Sequence, residues 1–262
     1  MTDPGAAAPR FTVVVPVFNE AVSLPALADE LRDVMRRMSG GYECILVDDG
    51  STDGTAAVID ALTGALGSSF RGIRFARNRG QAAALYAGLH QATGSIVIVL
   101  DGDGQNRPQD IPLMVDELLR RNLDLVCGIR VDRDDPWLRR SMSRLANGVR
   151  SRFLHDHVRD SGCALKAMRR PVIATLPPIR TLYSFIPAFA AAAGFVVGEC
   201  PVGHRARQGG TSSYGLRAFL WRPMIDMLGV RWYAARSVLT RDDLMAQDDA
   251  SVSVPRPARR EA

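Results

Sequence analysis

The stretch IVIVLDGDGQNRPQD, residues 96–110, decides how the chain folds and where its chemistry lies. Four β-branched apolar residues predict a buried strand, which runs directly into Asp101-Gly102-Asp103. Two carboxylates one residue apart repel each other unless a counter-charge lies between them. Hard divalent cations prefer carboxylate oxygens, so the pattern predicts a site for Mg²⁺ or Mn²⁺. A solvated turn is the alternative for an isolated Asp-x-Asp pattern.

The segments on either side repeat an alternation of apolar strand and helix. Strands are predicted at 11–17, 42–47, 71–76, 95–100 and 124–128, and helices at 23–38, 55–66, 80–92 and 112–121. Strands that are apolar throughout are typical of parallel sheets with helices on both faces. The predicted fold class is therefore α/β, a mostly parallel sheet covered by helices.

The regular alternation ends near residue 130. The predicted organisation begins with a flexible N-terminus, residues 1–10, and an α/β domain, residues 11–203. A basic and aromatic segment follows over residues 204–240, and the polar tail, residues 241–262, is expected to be disordered. Within the second half of the domain, residues 137–154 are expected to form an amphipathic helix. Residues 183–198 are expected to form a buried helix followed by a strand.

Arginine dominates the positive charge of this 262-residue chain. Only Lys166 among the 33 basic residues is a lysine, a bias that GC-rich coding also produces. The segment 203–240 nevertheless holds six arginines against one acid, Asp226, which suits a polyanionic partner. The four cysteines form no CxxC pair, and the sequence has neither a signal-peptide pattern nor an apolar run of about 18 residues. These features predict a reducing, cytosolic compartment.

Five acids follow the ends of predicted strands and are expected to meet at one edge of the sheet. They are Glu20, Asp48, Asp49, Asp101 and Asp103. A dinucleotide site would need a glycine-rich GxGxxG loop there, and the sequence has none. An acidic edge repels a bare diphosphate but suits one that arrives with Mg²⁺ or Mn²⁺. The same edge argues against a nucleic-acid partner.

The motifs in order carry a family resemblance. VVVPVFNE, ILVDDGSTDGT, RNRGQAAALYAGLHQATG and VLDGDGQNRPQD resemble glycosyltransferase family 2, which has the GT-A fold. VRDSGCALKAMRR and GFVVGECPVGHRARQGGTSSYG resemble its polyprenyl-phosphate sugar transferases, the branch similar to dolichyl-phosphate mannose synthase. The similarity extends over about residues 11–236.

The resemblance implies a role for each matching residue. Those assigned to donor binding are Pro16, Glu20, Asp48, Asp49, Arg77, Gly80 and Asp101. Those assigned to the metal are Asp101, Asp103 and Gln105. Those assigned to the acceptor or its phosphate are His204, Arg205, Arg207 and Tyr214, while Asp160, Asp103 and Arg205 are the catalytic candidates.

The implied reaction is inverting transfer of a sugar from a UDP- or GDP-linked donor to a polyprenyl phosphate at the cytoplasmic face of the plasma membrane. A phosphate acceptor is already an anion and needs no general base. A hydroxyl acceptor would need one, and Asp160 is the first candidate. The alternative for Asp160 is a structural ion pair with Arg159 or another arginine.

Two positions depart from the family pattern, Ser213 in place of a lysine and Ser184 in place of an arginine. They leave two alternatives open: a soluble family member with a hydroxyl acceptor, and a non-catalytic member that serves as a membrane partner. The mixture of aromatic and arginine residues after Tyr214 predicts amphipathic helices lying on a membrane surface. Packing against the domain or a second copy is the other interpretation, and a separate membrane protein is a further candidate partner.

Overall fold

The computed structural model describes residues 8–131, 148, 150–205 and 222–253. Its strands are β1 Phe11–Val17, β2 Tyr42–Asp48, β3 Phe70–Arg74, β4 Ile96–Val99, β5 Leu125–Arg130, β6 Lys166–Arg169 and β7 Val197–Val202. Its helices are α1 Leu24–Met35, α2 Thr55–Leu66, α3 Gln81–His90, α4 Ile111–Arg120, α5 Leu182–Ala192, α6 Arg222–Ala234 and α7 Arg241–Ser253. Residues 150–154 are also helical, and the rest of the helix expected over 137–154 lies outside the described residues.

The seven strands form one sheet in the order β3-β2-β1-β4-β6-β5-β7. Four of its pairings are parallel, and β6 runs antiparallel to both β4 and β5. The expected α/β class with a mostly parallel sheet is confirmed. The sequence did not predict β6, since its four residues KAMR are too short and too charged to signal a buried strand.

Pro16 marks the point where β1 and β4 separate. The carbonyl of Val14 accepts a hydrogen bond from Leu100 on the β4 side, and that of Val17 accepts one from Asp49 on the β2 side. In a parallel strand, the backbone N–H and C=O groups of successive residues point to opposite neighbouring strands. The backbone of Pro16 therefore points toward β4, beyond Val14, which is the last residue of β1 that pairs with β4. Its missing N–H therefore costs no ladder bond. The chain order reverses between these two strands, which opens a crevice at their carboxyl ends.

Apolar side chains form a core on each face of the sheet. One core contains the buried sides of α1 and α4 with the odd-numbered residues of β1. The other contains Val14 of β1 and the buried residues of α3 and α5. Burial on both faces explains why the central strands read as continuous apolar runs. The rigid central sheet holds the loops at its carboxyl edge in place.

The C-terminal region differs from the expectation. Residues 241–253 form α7 instead of a disordered tail, because Arg241 donates a 2.7 Å bond to the buried Asp124, Leu244 is buried, and Arg170 pairs with Asp248. A buried carboxylate needs a cationic partner, which composition alone does not reveal. The apolar residues of α6 divide between buried Val230 and an exposed side, so a helix with one apolar face is not confirmed. No helix in the described part of the chain is long and apolar enough to cross a membrane.

Candidate active site

The loop after β4 brings Asp101 and Asp103 to the crevice between β1 and β4. Gly102 is required there, because a Cβ atom at this position would lie 2.4 Å from Cγ1 of Val17. Asp103 is buried, and its Oδ1 accepts a 3.1 Å bond from the N–H of Gln105. The three residues assigned to a metal therefore belong to one tight loop packed against β1.

Asp101 is held from two sides. Nε2 of Gln81, at the start of α3, donates a 2.6 Å bond to its Oδ1, and its own N–H donates to Oδ1 of Asn106 at 3.3 Å. Burial, followed by the negative charge of Asp103, raises the pKa of Asp101 to about 6, although the charge of Lys166 opposes the rise. The loop thus concentrates negative charge that a cation would relieve.

The donor set fits a magnesium or manganese ion that also binds a ligand. Among the described residues, no group of three or more His, Cys, Asp or Glu side chains is placed to hold a metal. Asp101 and Asp103 supply carboxylate oxygens, and Gln105 supplies a neutral amide. Mg²⁺ typically takes one or two protein carboxylates and completes its octahedron with water and phosphate oxygens.

Asp48, at the end of β2, contributes a second buried carboxylate. Its Oδ1 accepts a 2.9 Å bond from the N–H of Ser51. Its Oδ2 has no hydrogen-bond partner among the described residues, although Nε of Arg74 lies 3.5 Å away as a charge partner. A buried acceptor without a hydrogen bond is costly and is well suited to a ligand N–H.

Asp49, which the resemblance assigns to donor binding, is bonded to the loop before α3. Its Oδ1 accepts a 2.7 Å bond from the N–H of Arg79, and its Oδ2 accepts a 2.8 Å bond from the N–H of Gly80. Gly50 (φ +70°) packs so closely that a Cβ would lie 2.4 Å from the carbonyl carbon of Arg77. Asp49 therefore holds the loop before α3 in place.

The loops after β1 and β2 are linked to each other and to the loop after β4. We call this last loop the metal loop, because it carries the candidate cation ligands Asp101, Asp103 and Gln105. Oε2 of Glu20 accepts a 2.7 Å bond from Oγ of Ser23, which also lies 3.0 Å from the carbonyl oxygen of Gly102. The N–H of Glu20 donates to Oγ1 of Thr55 at 2.9 Å. Oδ1 of Asn19, a residue with φ +57°, accepts a 2.8 Å bond from the N–H of Thr52. These bonds fix Glu20 between the loop after β2 and the loop that carries Gly102.

Asp160 makes a bidentate ion pair with Arg130 at the end of β5. Its Oδ2 lies 2.8 Å from Nε and its Oδ1 lies 2.8 Å from Nη2 of that arginine. Arg159, the other partner considered, pairs instead with Glu199 at 2.9 Å. A buried carboxylate in a bidentate arginine pair is a poor proton acceptor, so this geometry favours the structural interpretation of Asp160.

The basic motif follows β7, and its first residues are bonded to the metal loop. His204 forms a β-bridge with Asn106, and the N–H of Arg205 donates a 2.9 Å bond to the carbonyl of Gln105. Nη1 of Arg205 lies 2.8 Å from Oε1 of Glu30. Three further positions singled out in the sequence, Arg207, Ser213 and Tyr214, lie outside the described residues. Ser184 lies in the first turn of α5, where its carbonyl is 3.5 Å from Nη1 of Arg150.

Sequence reasoning missed four residues that shape the site. They are Gln81, Asn106 and Arg130, whose contacts are given above, and Lys166. Lys166 is almost fully buried, and its ammonium donates to the carbonyl of Cys163. Lys166 is the one lysine of the chain, and this singularity could have marked it as a residue with a special position. Gln81 stood within the quoted RNRGQ motif, but nothing in the motif showed that its amide reaches Asp101.

The chain matches the model of the family described as "Glycosyl transferase family 2" over residues 12–176. The chain belongs to glycosyl transferase family 2. Among curated family 2 relatives, it is 40% identical over 230 residues to dodecaprenyl-phosphate galacturonate synthase of Rhizobium johnstonii, covering 86% of this chain and 67% of that protein. It is 40% identical over 205 residues to undecaprenyl-phosphate 4-deoxy-4-formamido-L-arabinose transferase of Aeromonas hydrophila, covering 78% of this chain and 63% of that protein.

Solved structures show the same fold at lower identity. Glucosyl-3-phosphoglycerate synthase of Mycobacterium tuberculosis in complex with Mn²⁺ and UDP-glucose superposes with a TM-score of 0.62 at 21% identity, covering 86% of this chain and 79% of that one. Its complex with Mg²⁺ and UDP gives a TM-score of 0.63 at 20% identity, with the same coverage. The chain spans about two thirds of the length of the curated relatives described above.

Proposed function

We propose that the protein transfers a sugar from a nucleoside-diphosphate sugar to a polyprenyl phosphate. The observation that carries the proposal is the pair Asp101 and Asp103 in the crevice between β1 and β4, within a family 2 chain. The relatives that are 40% identical are named for transfer to dodecaprenyl and undecaprenyl phosphate, which supports this acceptor class. The activity of the whole protein is part of the same proposal.

The cofactor is Mg²⁺ or Mn²⁺. Asp101 and Asp103 would hold it, with Gln105 beside them. When bound, such a cation neutralises the diphosphate that leaves with the electron pair of the broken bond. Gln81 and Asn106 keep Asp101 in position from outside the crevice, so the carboxylate pair is fixed before any ligand arrives.

The nucleotide base is the group that best satisfies Asp48. Uracil and guanine both carry a ring N–H beside a carbonyl, and that N–H can donate to the unbonded Oδ2 of Asp48. Nε of Arg74 lies 3.5 Å from the same oxygen as a charge partner. The same crevice is the place that we assign to four further residues on or beside these loops: Pro16, Glu20, Arg77 and Gly80. UDP- and GDP-sugars both meet these requirements.

The acceptor step needs no proton transfer from the protein. A phosphate monoester carries about −1.5 to −2 charge at pH 7, so its oxygen attacks the anomeric carbon directly. The new C–O bond forms as the bond to the diphosphate breaks, and a single in-line displacement inverts the anomeric centre. The engagement of Asp160 by Arg130 supports a phosphate acceptor over a hydroxyl, which would need a free base. His204, Arg207 and Tyr214 remain the proposed acceptor-side residues.

The lipid acceptor places the reaction at a membrane surface, on its cytoplasmic side. Ile225, Leu228 and Trp232 of α6 are exposed and spaced by three and four residues, so they share one side of the helix. The guanidinium of Arg236 lies 4.7 Å from the ring centre of Trp232. Exposed apolar side chains next to cations suit peripheral binding to anionic lipid. Flotation with anionic liposomes should carry the protein upward at low salt, and a protein that stays in the lower fraction contradicts this part of the proposal.

The turnover experiment decides the reaction. The protein is incubated with Mn²⁺ or Mg²⁺, a panel of UDP- and GDP-sugars, and a polyprenyl phosphate in detergent, and release of nucleoside diphosphate is followed. Release that requires lipid, metal and Asp103 establishes the proposed transfer and identifies its donor. Release with a soluble hydroxyl acceptor but not with the lipid overturns it. Donor binding without release in either case points to the non-catalytic alternative.

A further inference from the structure

Three side chains form a closed polar cluster beside the metal loop. Nη1 of Arg205 lies 2.8 Å from Oε1 and 3.1 Å from Oε2 of Glu30, and its Nη2 lies 3.1 Å from Oε1 of Gln109. Nε2 of Gln109 donates a 2.9 Å bond back to Oε2 of Glu30. We call Glu30, Gln109 and Arg205 the latch. These contacts join each of the three side chains to both of the others.

The latch joins parts of the chain that are distant in sequence. Glu30 lies on α1, Gln109 lies in the helical turn before α4, and Arg205 follows β7. Burial acts to raise the pKa of Glu30, but hydrogen bonds from Arg205 and Gln109 outweigh it and hold the pKa below its usual value. The ionised carboxylate is therefore the form that the latch favours.

The backbone of Arg205 is bonded to the metal loop on its outer side. Its N–H donates to the carbonyl of Gln105 at 2.9 Å, and its carbonyl accepts a 3.4 Å bond from Nε2 of Gln105. The neighbouring residue, His204, bridges Asn106, whose side chain accepts from the N–H of Asp101. One step further back, the N–H of Gly203 donates to Asp110 at 2.9 Å. Residues 203–205 thus form a strap along the loop that carries both carboxylates.

We propose that Glu30 is a positioning residue of the metal site, which it supports through Arg205 and the backbone of Gln105. This inference rests on the proposed function only in naming the loop a metal site. It gives Arg205 a structural task, because two nitrogens of its guanidinium are bonded to Glu30 and Gln109. Glu30 and Arg205 are each about one third exposed, so their pair adds little to global stability and acts on the local position of the strap.

The first test measures the strap without any ligand. Amide hydrogen exchange of Arg205 and Gln105, resolved by NMR, should become up to about fivefold faster in Glu30→Ala, the range expected for loss of an exposed ion pair. The matched control is Asp29→Asn, which removes the 2.7 Å pair between Asp29 and Arg32 on the same helix. The control should leave both amides unchanged. Equal exchange in Glu30→Ala and the unaltered protein overturns the proposal.

The second test measures the loop as a metal site. Titration of Mn²⁺ in the presence of UDP or GDP, followed by electron paramagnetic resonance, should give a dissociation constant up to about fivefold higher in Glu30→Ala. The charge exchange Glu30→Arg with Arg205→Glu should restore both the exchange rates and the affinity. Faster exchange with unaltered Mn²⁺ affinity overturns the positioning role. The exchange measurement needs neither metal nor nucleotide, so failure of the proposed function is distinguishable from failure of the latch.

Discussion

The carboxylates at the two edges of the sheet differ in how completely they are hydrogen-bonded. At the amino edge, Glu43 accepts bonds from Oγ1 of Thr12, from the N–H and Oγ1 of Thr93, and from Nε of Arg71 at 2.7 to 3.1 Å. At the carboxyl edge, Asp48 keeps an oxygen that accepts no hydrogen bond from the described residues, and Asp101 has its pKa raised to about 6.

The difference separates stability from function. Burial acts to raise the pKa of Glu43, but its hydrogen bonds outweigh that effect and lower the pKa, so the ionised group stabilises the fold. At the carboxyl edge, burial and the charge of Asp103 instead raise the pKa of Asp101, and a cation would relieve that repulsion. Perturbed and unsatisfied groups of this kind are typical of functional sites. Substitutions at the two edges should therefore have opposite consequences for turnover and for stability.

The largest effect is expected for Asp103→Asn. Loss of one of the two carboxylates removes a ligand of the cation and should lower turnover by about 10³-fold or more. The same change relieves repulsion with Asp101, so thermal stability in EDTA should not fall. Nucleoside diphosphate release and thermal unfolding measure the two quantities. A variant that keeps more than about a tenth of the turnover contradicts the metal site, and one that unfolds several degrees earlier contradicts the contrast between the edges.

Asp160→Asn should have a smaller effect. It weakens the bidentate pair with Arg130 but removes no base from a reaction with a phosphate acceptor, so turnover should fall by about tenfold or less. A loss of about 10³-fold would instead identify Asp160 as a general base and favour a hydroxyl acceptor. Arg159→Ala is the matched control, because it removes the neighbouring ion pair with Glu199 and leaves both partners of the Asp160–Arg130 pair in place.

The sequence predicted the acidic carboxyl edge of the sheet, because the pattern that signals it is local. Apolar strands followed at once by acids placed Glu20, Asp48, Asp101 and Asp103 at one edge, and that edge exists. The acceptor side depends on ion pairs across long sequence separations, such as Glu30 with Arg205, and no local pattern reveals which arginine pairs with which acid. In a chain with 32 arginines, the sequence does not show that Arg205 pairs with Glu30 or that Asp160 pairs with Arg130. The antiparallel β6 and the ordered α7 were missed for the same reason, since tertiary contacts hold both.

Gln81→Leu tests whether the carboxyl edge is organised in advance. The substitution removes the 2.6 Å bond to Asp101 while roughly keeping the side-chain volume. Loss of a hydrogen bond to a charged group should raise the Mn²⁺ concentration needed for half-maximal turnover by about tenfold. Turnover at saturating Mn²⁺ should change much less, since both carboxylates remain. Equal losses at low and saturating Mn²⁺ would show that Gln81 acts elsewhere.

The smallest effect is expected at the amino edge, for Glu43→Gln. Its hydrogen bonds are partly shielded from water, so the free energy of unfolding should fall by about 1 kcal/mol at pH 7, with turnover unchanged. Because the folded-state pKa of Glu43 lies below the unfolded value, its charge-dependent stabilisation is complete above the unfolded pKa and is lost as the pH falls through the folded one. Urea unfolding from pH 7 down to about 3 should therefore show the difference between the two proteins shrinking only below about pH 4.5. A difference that persists at the lowest pH would mean that packing at this edge, rather than the carboxylate charge, provides the stability.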